Sequence, residues 1–96
     1  MPKVIVARHM RDKDEKGWRK LAESLEQRMA EWDPKLEDWT VFIESRREKE
    51  SQLAATRVDD KMKILTVGFP LGPPEAEMVE IQIMAFFASL KKEGRL

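Results

Sequence analysis

The side chains able to move a proton or hold an anion gather in two short stretches of this 96-residue chain, ARHMR at 7–11 and SRREK at 45–49. His9 is the single histidine, and an imidazole changes charge near neutral pH, so it is a candidate acid or base. Without a second histidine, neither a histidine pair nor a histidine metal cluster can form. Arg8 and Arg11 flank His9, and Arg46 and Arg47 stand side by side. Guanidinium groups present paired donors that suit a small anionic ligand. The plain reading of the same residues is solvated charge on two loops, since Asp12, Asp14, Glu44 and Glu48 lie next to them.

Other chemistries lack their residues. Cysteine is absent, which removes disulfides, thiolate nucleophiles and cysteine metal sites. Asp12, Asp14 and Glu15 match no calcium loop and read as an acidic first helical turn, so no metal is expected. GFPLGPP at 68–74 lacks the lysine and hydroxyl of a phosphate loop, and its prolines remove amide donors. No cofactor is expected. Lys plus Arg and Asp plus Glu are 18 each, so net charge gives no footprint for nucleic acid or for an anionic membrane. The run VIVA at 4–7 is too short for a signal-peptide core or a membrane span. A soluble, cytoplasmic protein is therefore expected.

These candidates need elements to position them. KVIVA at 3–7 reads as a strand, with Pro2 suited to its start. Trp18, Leu21, Ala22, Leu25, Met29 and Trp32 then recur at helical steps, with Asp12 or Asp14 as cap and Asp33-Pro34 as stop. WTVFIES at 39–45 alternates Trp39, Val41 and Ile43 against Thr40, Phe42 and Glu44, as a second strand does. Strand, helix and strand in this order fit a parallel crossover, which sends Arg8, Arg11, Arg46 and Arg47 out at the end where open sheets place ligands. Residues 46–61 read as a polar connector, either loop or short exposed helix. MKILTVGF at 62–69 is a further strand, apolar on both sides, for which burial of both faces is the simplest account.

Residues 75–90 fit a C-terminal helix, with Pro74 and acids at its start and KKEG as its stop. The alternation of Val79, Ile81 and Ile83 supports a rival strand at 77–84. The helical phase gathers Val79, Ile83, Phe86, Phe87 and Leu90 into a broad apolar face, suggesting burial against both the sheet and another element, with a second subunit as one candidate for that element. The sum is one α+β domain over 1–96. It comprises an N-terminal β-α-β unit, a strand and a terminal helix, with 77–84 as the alternative fourth strand.

Pro2, KVIVA, the helix at 14–32 and WTVFIES together resemble the half-domain of the tautomerase superfamily. That resemblance implies a threefold assembly in which Pro2 is the general base of keto-enol chemistry and Arg11 holds a small anionic substrate. The base would require loss of Met1, because a proline nitrogen in a peptide bond has no basic lone pair. A free secondary amine near cations has its pKa lowered toward neutrality. Whether the chain is an enzyme stays open at this point. The leading expectation is a non-catalytic homo-oligomeric interaction or assembly protein, and the alternative is a tautomerase or isomerase.

Overall fold

The computed structural model describes residues 1–12, 14–45, 55–69 and 76–96. Strand β1 (Lys3–Val6) leads into a single helical turn, α1 (Arg8–Arg11), and then into the long helix α2 (Glu15–Trp32). A 3-10 turn (Pro34–Leu36) precedes β2 (Thr40–Ser45). Strands β3 (Ala55–Asp59) and β4 (Ile64–Phe69) follow, and α3 (Ala76–Lys92) completes the fold. The four strands form one mixed sheet in the order β1-β2-β4-β3. Strands β1, β2 and β4 run parallel, and β3 runs antiparallel to β4 along the edge. The α+β architecture and the parallel β1-α2-β2 crossover agree with the sequence.

Local chemistry explains the helix ends. Asp14 Oδ1 accepts from the Gly17 amide at 3.0 Å, satisfying one of the unpaired donors of the first turn. A Cβ at position 17 would stand 2.8 Å from Asp14 Cγ, so glycine there leaves the cap its space. Helix α3 ends at Gly94, whose φ of 74° is costly for any residue with a Cβ. The Arg95 amide donates to the Leu90 carbonyl at 2.9 Å and the Gly94 amide to Lys91 at 3.1 Å, the paired bonds of a Schellman stop.

Both long helices cover the same side of the sheet. Val4, Val6, Val41, Ile43, Leu65, Val67 and Phe69 alternate toward that side and join Trp18, Leu21, Leu25 and Met29 of α2 in one buried cluster. From α3 come Val79, Ile83, Phe87 and Leu90, with the Phe87 ring edge-on to Trp39 at 5.6 Å between centroids. Between the helices, Glu80 Oε1 accepts from Ser24 Oγ at 3.1 Å and lies 3.4 Å from Arg28 Nε. The α3 residues expected to meet a second subunit are therefore in the chain's own core. Val79, Ile83 and Phe87 are fully buried, Leu90 nearly so, and Phe86 packs partly against the cluster. What α3 leaves outward is Met78 and Ile81, 52% and 63% exposed.

Two boundaries differ from the sequence reading. The alternative strand at 77–84 is helix, because Val79, Ile83 and Phe87 at four-residue steps fill one helical face whereas alternation would split them. The connector at 46–61 ends in β3. Among its described side chains Val58 packs against the core, while Thr56, Arg57 and Asp59 are exposed, so the strand carries almost no hydrophobic period. Residues 46–54 lie outside the described residues.

Asp33 fastens the helical layer at one end. Its Oδ1 accepts from the Lys35 amide at 2.9 Å, and its Oδ2 lies 3.0 Å from Lys91 Nζ on α3. The same ammonium stands 5.2 Å over the Trp32 ring. The Lys35 amide, and then Lys91, hold the Asp33 carboxyl below its ordinary pKa. A lowered folded pKa stabilises the fold above the unfolded value of about 3.9, and the effect is lost as pH falls through the folded value. Asp33→Asn should therefore be less stable than wild type in urea melts at pH 7, with the gap narrowing progressively as the pH is lowered below about 4.

Candidate functional site: the open face of the sheet

Strand register sets out the uncovered side of the sheet row by row. Lys3, Thr40, Ile64 and Asp59 are register partners across one row, and Ile5, Phe42, Thr66 and Arg57 across the next. Glu44 and Gly68 begin a third. Gly68 is itself buried and has no side chain; the other positions alternate with the buried set, so their side chains point away from both helices. Ile5 is 47% exposed, and Phe42, Ile64 and Thr66 are half-buried. Among the described residues, no helix lies over this face.

The face has a relief as well as a chemistry. An open depression of about 580 Å³ lies at its β3–β4 side, bordered by Arg57, Asp59, Ile64 and Thr66. The β3–β4 turn forms its rim. Asp59 Oδ1 closes that turn by accepting from the Lys61 and Met62 amides at 3.0 and 2.9 Å. Lys63 takes a positive φ of 55° there, and its carbonyl accepts from the Thr40 amide at 2.9 Å, tying the turn to β2.

The candidates from the sequence fall elsewhere. Arg8, His9 and Arg11 are exposed on α1, at the C-terminal end of β1, where Met10 anchors the turn in the core. Arg46 and Arg47 lie outside the described residues, although parallel pairing brings the C-terminal ends of β1 and β2 to the same side. Arg11 borders a second depression, about 290 Å³, beside the β1 edge with Glu15, Trp18 and Arg19. Glu15 is engaged with Arg19 at 2.7 Å. The edge itself is partly sealed, since Glu26 Oε1 accepts from the Val4 amide at 3.0 Å.

Pro2 is fully buried behind an exposed Met1 and precedes β1, whereas Arg8, His9 and Arg11 follow it. At about 3.3 Å per residue, the five steps from Pro2 to Ala7, where α1 begins, span roughly 16 Å. Pro2 and Arg11 of one chain therefore do not meet on one small substrate. Among the described residues, no group of three or more His, Asp and Glu side chains gathers to hold a metal, and no helix is long and apolar enough to cross a membrane.

Lys3, Ile5, Phe42, Arg57, Asp59, Ile64 and Thr66 were not among the sequence candidates. Their signal was the two-sided apolar character of MKILTVGF, read as double burial. Half of that expectation holds: Leu65, Val67 and Phe69 are buried, while Ile64 and Thr66 look onto the open side. The chain matches no protein-family model, no curated protein and no solved structure.

Two isoleucines on opposite faces test this assignment. In dilute protein, Ile43→Ala should cost about 2–5 kcal/mol in urea melts, as for a filled core position. Ile5→Ala should cost less than about 1 kcal/mol, as for a half-exposed one.

Proposed function

We propose that this chain is a non-catalytic interaction protein that assembles with copies of itself through the open face of its sheet. The observation that carries the reading is a largely parallel sheet whose described helices all lie on one side. All-parallel sheets occur almost only with both faces covered; three of the four strands here run parallel, and Ile5, Phe42 and Ile64 occupy the face that the described helices leave open. The small domain gives a second reason, because 96 residues bury only a modest surplus of apolar surface over chain entropy.

Size sets the expected strength. Strands of four to six residues make a patch roughly 19 Å by 17 Å, about 650 Å² over both partners, which is below the standard size of specific interfaces and in the range of weak contacts. Association should therefore depend on concentration in the micromolar range, unlike an obligate dimer. The outer side of α3 is the weaker candidate, since Met78 and Ile81 are its large exposed apolar groups and the rest of that stripe is alanine. The alternative of Pro2 as a catalytic base gains no support from a buried proline at the far end of β1 from Arg11.

Sedimentation velocity over a concentration series tests the proposal. Wild type should shift from monomer toward a larger species with rising concentration. Phe42→Asp should remain monomeric, and Ile81→Asp should behave as wild type. The converse pattern, or a monomer throughout, would reject the open face as the contact.

A further inference from the structure

We infer that the second copy docks on the open face about a two-fold axis parallel to the strands, seating Lys3 of each protomer against the partner's Asp59. The inference rests on the self-association reading and adds the geometry of the contact. Lys3 and Asp59 stand at opposite ends of one row, Lys3 on edge strand β1 and Asp59 on edge strand β3, with Thr40 and Ile64 between them. A two-fold interface places the same patch on both sides, so each feature must find its complement within the patch itself.

Sheets that stack with aligned strands lie about 10 Å apart and offer two symmetric arrangements. An axis across the strands sets each strand over its own copy and overlaps all three rows only when it passes through the middle one, where Arg57 comes over the partner's Arg57, a like-charge contact that opposes binding. Moved between the first two rows, it pairs Arg57 with the partner's Asp59 but leaves the third row without a partner. An axis along the strands, passing between β2 and β4, exchanges the two edges. Lys3 then faces the partner's Asp59, and Asp59 faces the partner's Lys3. Both side chains are exposed, and a lysine and an aspartate together span the gap between sheets.

The relief of the face fits the same axis. Ile5, on β1, comes over the partner's β3 edge in its own row, where the depression is bordered by Arg57, Asp59, Ile64 and Thr66. The same exchange sets Ile5 against the partner's Arg57, which lines that hollow, and Phe42 against the partner's Thr66. Asp59 keeps its structural role meanwhile. Its Oδ1 holds the turn, and among the described residues no donor reaches Oδ2.

Complementary charge reversal decides the matter. Lys3→Glu alone and Asp59→Lys alone should each weaken self-association about tenfold, because two symmetry-related pairs become repulsive. An equal mixture of the two variants restores both pairs, so a mixed dimer of near wild-type affinity should form in sedimentation equilibrium. Circular dichroism establishes that each variant is folded. If Asp59→Lys disturbs the turn, Lys3→Glu combined with Asp59→Asn keeps the turn acceptor and should recover most of the association lost in Lys3→Glu. A wild type that associates while neither the mixture nor the double variant recovers would overturn this axis and leave self-association standing. A wild type that stays monomeric would overturn both.

Discussion

A β-sheet has two faces, and the described helices of this chain cover one. The other features of the structure follow from how that single layer is used. Helices α2 and α3 lie side by side on the face bearing Val4, Val6, Val41, Ile43, Leu65, Val67 and Phe69. Burial there concentrates the apolar driving force in one continuous core. The opposite face keeps Ile5, Phe42 and Ile64 among Lys3, Thr40, Glu44, Arg57 and Asp59. That mixture resembles the centre and rim of a protein interface more than the surface of an isolated monomer, where large apolar groups occur singly.

The polar contacts serve this two-layer plan by fixing the helices to each other and to the sheet. Glu26 caps an edge amide of β1 from α2. Glu80 links α3 to Ser24 and Arg28 of α2, and Asp33 links the end of α2 to Lys91 near the end of α3. In the Arg28–Glu80 and Lys91–Asp33 pairs the cation is exposed and the carboxylate largely buried. The gain from any one such pair at the edge of the apolar layer is small. Their shared effect is orientation, because they choose one relative placement of two helices that apolar packing alone would leave loosely specified.

Much of the fold was legible in the residues. The helical period of Trp18, Leu21, Leu25 and Met29, the alternation in WTVFIES and the glycine stop after KKE each correspond to an observed element. Strand β3 was hidden because an exposed edge strand with one core-facing valine has no period to read. The candidate site was hidden for a different reason. The groups suited to acid–base or anion chemistry, Arg8, His9 and Arg11, stand on a short turn after β1, away from Pro2, whereas the open face is marked by apolar residues. The breadth of apolar residues in α3 was also visible, but Val79, Ile83, Phe87 and Leu90 are absorbed by the chain's own sheet. The two-sidedness of MKILTVGF was the real clue, and only strand order reveals that its second side joins Ile5 and Phe42 in a shared surface.

The central claim is that the bare face of the sheet, and not the outer side of α3, is where a second copy sits. Isotope-filtered nuclear Overhauser spectroscopy on a mixture of labelled and unlabelled protein, at a concentration where both copies associate, observes that contact directly. Cross-peaks between protomers should join the Ile5 methyl groups to Thr66 and Ile64 and should involve the Phe42 ring. Intermolecular cross-peaks confined to Met78 and Ile81, or none at Ile5 and Phe42, would contradict it.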